Sequence, residues 1–129
     1  MEYEYVALVT LLLLCQFIFF MGKVGQARVA ADVQAPAVTG DEKFERANRI
    51  HINTLEQLMI ALPAMWVCAY YFNPTLAAAL GLAFLIGRAL YGRAYAADPA
   101  SRGPGMMIGF IAYVAMIGTG LWGVVSGLL

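Results

Sequence analysis

Residues 57–87 read QLMIALPAMWVCAYYFNPTLAAALGLAFLIG and contain no Asp, Glu, Lys or Arg. An α-helix rises about 1.5 Å per residue, so roughly 20 apolar residues cross the hydrocarbon layer of a bilayer. Asn73-Pro74, in the middle of the run, is a turn signal. The run therefore divides into two spans, each completed by residues of the charged segment beside it. Working outward, Tyr5 to Gly22 is free of charge, and so is Gly103 to Leu129. Each fits one further span. The pattern predicts four helices at 5–22, 42–71, 75–96 and 104–128, in a single domain covering residues 1–129. Backbone groups in lipid must be bonded within their own segment. The expected fold class is therefore all-α, an integral membrane four-helix bundle running up-down-up-down.

Composition agrees. Of the 129 residues 62% are hydrophobic and 12% charged, about half the charge of a soluble domain. Mean hydropathy is +0.73. This excludes a water-soluble monomeric globule and a disordered chain, which needs low hydrophobicity. Eight basic residues balance eight acidic ones, so nothing in the charge points to nucleic acid. Cys15 and Cys68 sit in separate apolar runs and read as packing residues. With one histidine, they make no metal-ligand set. The N-terminal Met-Glu-Tyr-Glu-Tyr is acidic and no small-residue cleavage site follows, so the first span is expected to be a mature helix rather than a signal peptide.

Topology follows from the cations. Lys23, Arg28, Lys43, Arg46 and Arg49 lie between or beside the first two spans; Arg88, Arg93 and Arg102 surround the connection between the last two. The N-terminus, the Asn73-Pro74 turn and the C-terminus carry none. The positive-inside rule then places both termini outside and the charged connections in the cytoplasm. Residues 29–40 read as a surface loop, and Thr39 with Glu42 reads as a capping box opening the second helix.

The second helix carries a polar stripe. At 100° per residue, Glu42, Glu45, Arg46, Arg49, Asn53 and Glu56 fall within an arc of about 100°. Lys43 and Asn48 lie off it, and His51 points almost opposite. A charge in hydrocarbon costs about 2.5–3.5 kcal/mol on insertion scales, so it faces protein, water or a ligand. Pairing at i,i+3 and i,i+4 accounts for the outer turn; it accounts less well for the deeper Asn53 and Glu56. On the third helix, Arg88, Tyr91 and Tyr95 share one face. Read singly, the tyrosines are an interfacial belt and the arginines ordinary anchors. Read together, the two helices suit a small anionic peptide-like ligand. Arg forks hold carboxylates, a buried Glu holds an ammonium, Asn reads a peptide bond, and Tyr hydroxyls donate to sulfur or carbonyl oxygen.

The stretch Phe44-Glu45-Arg46-Ala47-Asn48-Arg49-Ile50-His51-Ile52-Asn53-Thr54-Leu55-Glu56, followed by Pro63, resembles the signature of the MAPEG family, the membrane-associated proteins of eicosanoid and glutathione metabolism. Gly87-Arg88-Ala89-Leu90-Tyr91-Gly92-Arg93-Ala94-Tyr95 and Arg102-Gly103-Pro104-Gly105 are similar to its third-helix motif and the start of its fourth helix. The resemblance spans nearly the whole chain. It implies a homotrimer of four-helix subunits, with glutathione as co-substrate between neighbours near the cytoplasmic face. It also implies a glutathione transferase, or peroxidase, acting on a lipophilic electrophile or lipid hydroperoxide reached through membrane lipid. The bacterial inner membrane is the implied location, or the endoplasmic reticulum in a eukaryote. Residue by residue, Arg49, Asn53, Glu56, Tyr91 and Tyr95 match glutathione-holding positions. Arg28 matches an arginine that reaches the ligand or acceptor. Arg88 matches a recurrent helix 3 arginine with a structural or orienting role. Arg102 matches the arginine proposed to stabilise the thiolate. His51 falls where polar side chains can touch glutathione, although the helical wheel turns it away.

Gln57 stands where leukotriene-forming members carry tyrosine, and Asp98-Pro99 is closer to the microsomal glutathione transferase type. Both argue against a dedicated leukotriene synthase. Two alternatives are weighed. One is a non-catalytic lipid- or partner-binding member of the same fold, disfavoured by the near-complete ligand set. The other is a small four-helix multidrug exporter, whose acidic residue in helix 1 is absent here, Gln16 being the strongly polar residue in that span.

Overall fold

The computed structural model describes residues 2–129. Among these residues there are four long α-helices and no strand: α1 (Glu4–Ala31), α2 (Glu42–Tyr71), α3 (Pro74–Ala97) and α4 (Gly103–Leu128), with a single 3₁₀ turn at Pro99–Ser101. All four are long and apolar enough to cross a membrane. The chain is an integral membrane protein.

The helix ends follow local chemistry. Asn73 caps α3, its side chain accepting from the Leu76 N–H at 2.9 Å, and Pro74 fills the first helical position, where no N–H is needed. Two expectations need correction. First, α1 does not end near Gly22 but continues to Ala31. The sequence from Lys23 to Ala31 has no helix breaker, and at 28 residues α1 is about 42 Å long, so its last turns rise out of the hydrocarbon layer. Asp32, at φ 54°, closes it in the left-handed conformation. Second, the α2 cap is Asp41 rather than Thr39. The Asp41 carboxylate accepts from the Phe44 N–H at 3.0 Å, and Glu45 accepts from the Gly40 N–H at 3.1 Å. Gly40, at φ 127°, turns the chain just before Asp41 and leaves Thr39 outside the helix.

α2 and α3 pack together at the centre; α1 packs against both on one flank and α4 against both on the other. The core between them holds Val6, Leu13, Met65, Cys68, Ala77, Phe84 and Met116. Large apolar side chains such as Leu11, Ile18, Met59, Ile111 and Leu121 stay exposed, as expected where the solvent is lipid. Association in lipid rests on close packing and interhelical hydrogen bonds, and both are present. The Gln16 amide donates to the Leu85 carbonyl at 3.0 Å, the Trp66 indole to Thr10 Oγ1 at 3.0 Å, and Cys68 Sγ meets Thr119 Oγ1 at 3.2 Å. α3 and α4 approach closely at the end of the bundle that carries the cations. A Cβ on Gly87 would lie 2.9 Å from the Gly109 nitrogen, and one on Gly105 would strike the Tyr91 backbone. Not every α4 glycine serves such a contact: Gly118 and Gly127 face open space. Gly105, at the first turn, sets the contact that brings the start of α4 beside Tyr91.

Candidate functional site

α2, α3 and the start of α4 enclose a cleft of about 390 Å³ lined by Arg49, Asn53, Tyr91, Tyr95, Arg102 and Met106. Helical periodicity does the positioning. Arg49 and Asn53 are one turn apart on α2, and Tyr91 and Tyr95 one turn apart on α3. The tyrosine rings lie with centroids 5.6 Å apart. Arg102 comes in from the turn before α4, where its Nη1 donates to the Pro99 carbonyl at 2.9 Å. Glu56 joins through Arg49, Nη1 to Oε1 at 3.6 Å. Both side chains of that pair are more than half exposed in the single chain, 52% and 58%, so the pair itself stabilises the fold little.

Arg88 lies under the cleft, 1% exposed. Its Nη2 donates to Asn53 Oδ1 and to Thr54 Oγ1, both at 2.8 Å, and its guanidinium stacks over the Tyr91 ring at 4.1 Å. No carboxylate pairs with it among the described residues. Guanidinium carries donors only, which fixes the Asn53 carbonyl oxygen toward Arg88. The Asn53 NH₂ is left for the cleft. Thr54 in turn donates to the Ile50 carbonyl at 2.7 Å. Arg88 thus turns Asn53 into a donor and holds Tyr91 flat from below.

A second, more open polar cleft of about 690 Å³ shares Arg49 and Tyr95 with the first and extends toward Glu42, Glu45 and Asn48. The outer part of the stripe is spent locally. Arg46 pairs with Glu42 and donates to the Ala96 and Ala97 carbonyls at 3.1 and 3.2 Å.

Of the residues singled out in the sequence, Arg49, Asn53, Tyr91, Tyr95 and Arg102 converge, with Glu56 and Arg88 attached to them. Two do not join within one chain. Arg28 stacks on Phe44 at 4.6 Å and donates to the Ala37 carbonyl at 2.8 Å, tying down the linker. His51 stacks on Phe17 of α1 at 4.9 Å, on the side the helical wheel predicts. Thr54 and Met106 were missed. Thr54 follows Asn53 directly and gave no periodic signal of its own, and Met106 looks like any other apolar residue of a span. Among the described residues no group of three or more His, Cys, Asp or Glu could hold a metal.

The arrangement is a cationic pocket floor with phenol and amide donors at one end of a membrane bundle, suited to a small ligand bearing carboxylates. Several known proteins are similar in sequence to this chain. An uncharacterized protein of Synechocystis sp. is 40% identical over 111 residues, covering 86% of this chain and 81% of that protein. Human microsomal glutathione S-transferase 2 is 37% identical over 114 residues, covering 87% and 78%. Leukotriene C4 synthase of Cavia porcellus is 37% identical over 95 residues, covering 74% and 63%. The profile of the MAPEG family matches residues 6–122, and the chain belongs to that family.

Proposed function

We propose that the protein is a membrane-bound glutathione transferase, with peroxidase activity as a secondary capacity, that forms the glutathione thiolate and presents it to a lipophilic electrophile. The observation that carries this reading is the convergence of Arg49, Asn53, Tyr91, Tyr95 and Arg102 on one cleft, with Glu56 tied to Arg49. Relatives named as glutathione S-transferases support it. Arg49 would hold a carboxylate, the Asn53 amide a peptide carbonyl, and Glu56 the ammonium. Tyr91 and Tyr95 would donate to the ligand from α3.

The thiol of a free cysteine-type group has a pKa of about 8.5, and the thiolate is the nucleophile. Arg102 supplies the positive charge. A drop of about two units makes the thiolate dominant at neutral pH and corresponds to about 2.7 kcal/mol of differential stabilisation. The thiol proton leaves to solvent through the open polar side of the site. The sulfur lone pair then forms the new bond to the electrophilic carbon, and the leaving group departs with its bonding electrons. An apolar acceptor arrives through the bilayer, so this chemistry gains from being placed there.

The exposure of Arg49 and Glu56 in the isolated chain supports an assembly in which another copy covers them, since bare charges at that depth are costly. We take the assembly to be a homotrimer, with Arg28 of a neighbouring copy reaching the ligand, both termini outside, and the charged connections cytoplasmic.

The test is glutathione binding by calorimetry, joined to stopped-flow absorbance at the thiolate band and conjugation of chlorodinitrobenzene. The reading expects saturable binding, a thiolate signal and product. Arg102→Ala is expected to lower the thiolate signal about 25-fold at about pH 7, as the thiol returns from about 6.5 to about 8.5, with a smaller loss of affinity. An unchanged signal would remove Arg102 from this role; no saturable binding would overturn the function.

A further inference from the structure

The eight basic residues divide by location. Arg49, Arg88 and Arg102 serve the cleft between α2, α3 and α4, and Arg28 ties down the linker. The other four meet on the α1 side of the bundle, Arg46 lying on the edge between it and the open polar cleft. Lys23 of α1, Lys43 and Arg46 of α2, and Arg93 of α3 ring a crevice of about 410 Å³ whose remaining lining is Phe20, Ala47, Ile50, Gly92 and Ala96. No acidic residue lines it. Arg46 is already held by Glu42 and the two α3 carbonyls. Lys23, Lys43 and Arg93 have no ion-pair partner among the described residues; Lys23 lies over the Phe19 ring at 5.3 Å.

Ordinary positive-inside anchoring explains why such cations sit at this end of the bundle. It does not explain why cations from three helices close around one concave, apolar-floored space with no acid in it. We propose that this crevice holds an anionic phospholipid, with the headgroup phosphate between Lys23, Lys43 and Arg93 and the start of one acyl chain on Phe20 and Ile50. The shape decides for a lipid over free phosphate: a free anion gains nothing from the apolar floor, whereas a chain buries methylenes on it. Height decides as well. Lys23 directly follows the charge-free run of α1, and Lys43 and Arg93 lie in the first turn of α2 and near the end of α3, the level of lipid headgroups. The site is separate from the glutathione cleft and stands or falls without it.

The test is native mass spectrometry of the full chain released from nanodiscs of equal parts phosphatidylglycerol and phosphatidylcholine. The wild-type protein is expected to retain phosphatidylglycerol over phosphatidylcholine by at least about tenfold, since three cations near the surface favour the anionic headgroup. Combining Lys23→Gln, Lys43→Gln and Arg93→Gln is expected to bring that ratio to about one, with helical circular dichroism unchanged. Ala96→Leu, and independently Ala47→Leu, keep every charge but fill the crevice, and are expected to lower the ratio too. Sodium phosphate is expected to act no more strongly than sodium chloride at equal ionic strength. Equal retention of the two lipids by wild type overturns the proposal. So does a ratio untouched by both filling variants, which would reduce the effect to surface charge. Displacement by phosphate beyond the chloride control would make it a free-anion site and overturn the lipid assignment.

Discussion

The two halves of α2 follow different rules. From Gln57 to Tyr71 the helix is uncharged, and it buries Leu58, Ala61, Met65 and Cys68 in a core built mainly by size, with Gly81 of α3 fitting against Met65 and Val9 and only the Trp66 and Cys68 hydrogen bonds to Thr10 and Thr119 added. From Glu42 to Glu56 it carries charge, and its polar side chains are placed by hydrogen bonds to α3 and to the preceding turn. Shape holds the first half, so a substitution there is expected to act on stability. Donor and acceptor identity organises the second, so a substitution there is expected to act on the ligand.

The largest break in that contrast comes from the apolar half. Gly81→Leu would drive a side chain into Met65 and Val9 and is expected to cost about 3 kcal/mol of stability. Thermal melting in detergent reads this, and the remaining folded protein is expected to bind glutathione as before. A loss of affinity without a lower melting point would contradict the division. Arg88→Met tests the other half. It removes a buried cation that has no carboxylate, a gain in desolvation, and it strips Asn53 and Thr54 of their donor. These effects oppose each other, so stability is expected to change by less than about 1 kcal/mol. Glutathione affinity is expected to fall by about 2 kcal/mol, near thirtyfold, because Asn53 is no longer oriented. Calorimetry beside a melting curve separates the two, and unchanged affinity would make Arg88 purely structural.

Glu56→Gln is smaller. It should weaken glutathione binding about tenfold through loss of the ammonium partner, with stability within about 0.5 kcal/mol of wild type because its pair with Arg49 is exposed. Equal affinity by calorimetry would count against the ammonium contact. The smallest effect belongs to Trp66→Phe, which deletes the hydrogen bond to Thr10. About 0.6 kcal/mol of stability is expected to go, the usual size of such bonds within a bilayer, with no change in conjugation rate.

Much of this was legible in the sequence because membrane helices report themselves through long uncharged runs, and because one polar stripe on an apolar helix is hard to overlook. The spans of α2 and α3 follow from spacing, as do the pairing of Arg49 with Asn53 and of Tyr91 with Tyr95; joining the two pairs rests on ligand chemistry and the family resemblance. His51 turned away from the cleft as its angle required. The misses have physical causes. The end of α1 was misplaced because charge marks where the hydrocarbon layer stops, and a helix can continue into water. The α2 cap was misplaced because Thr39 and Asp41 are both good caps, and the left-handed turn at Gly40 decides between them.

The sequence by itself determined that the chain crosses a membrane as four helices and gathers its cations at one end, because hydrocarbon tolerates neither bare charge nor unpaired backbone. Only the tertiary structure decided what each cation does. Arg88, Arg93 and Arg102 look alike along the chain, yet one lies buried beneath a cleft, one edges a crevice on the α1 side, and one borders the cleft from the turn before α4. That division depends on helix rotation and on how closely glycine lets α3 and α4 approach, and both are settled by packing between segments distant in sequence.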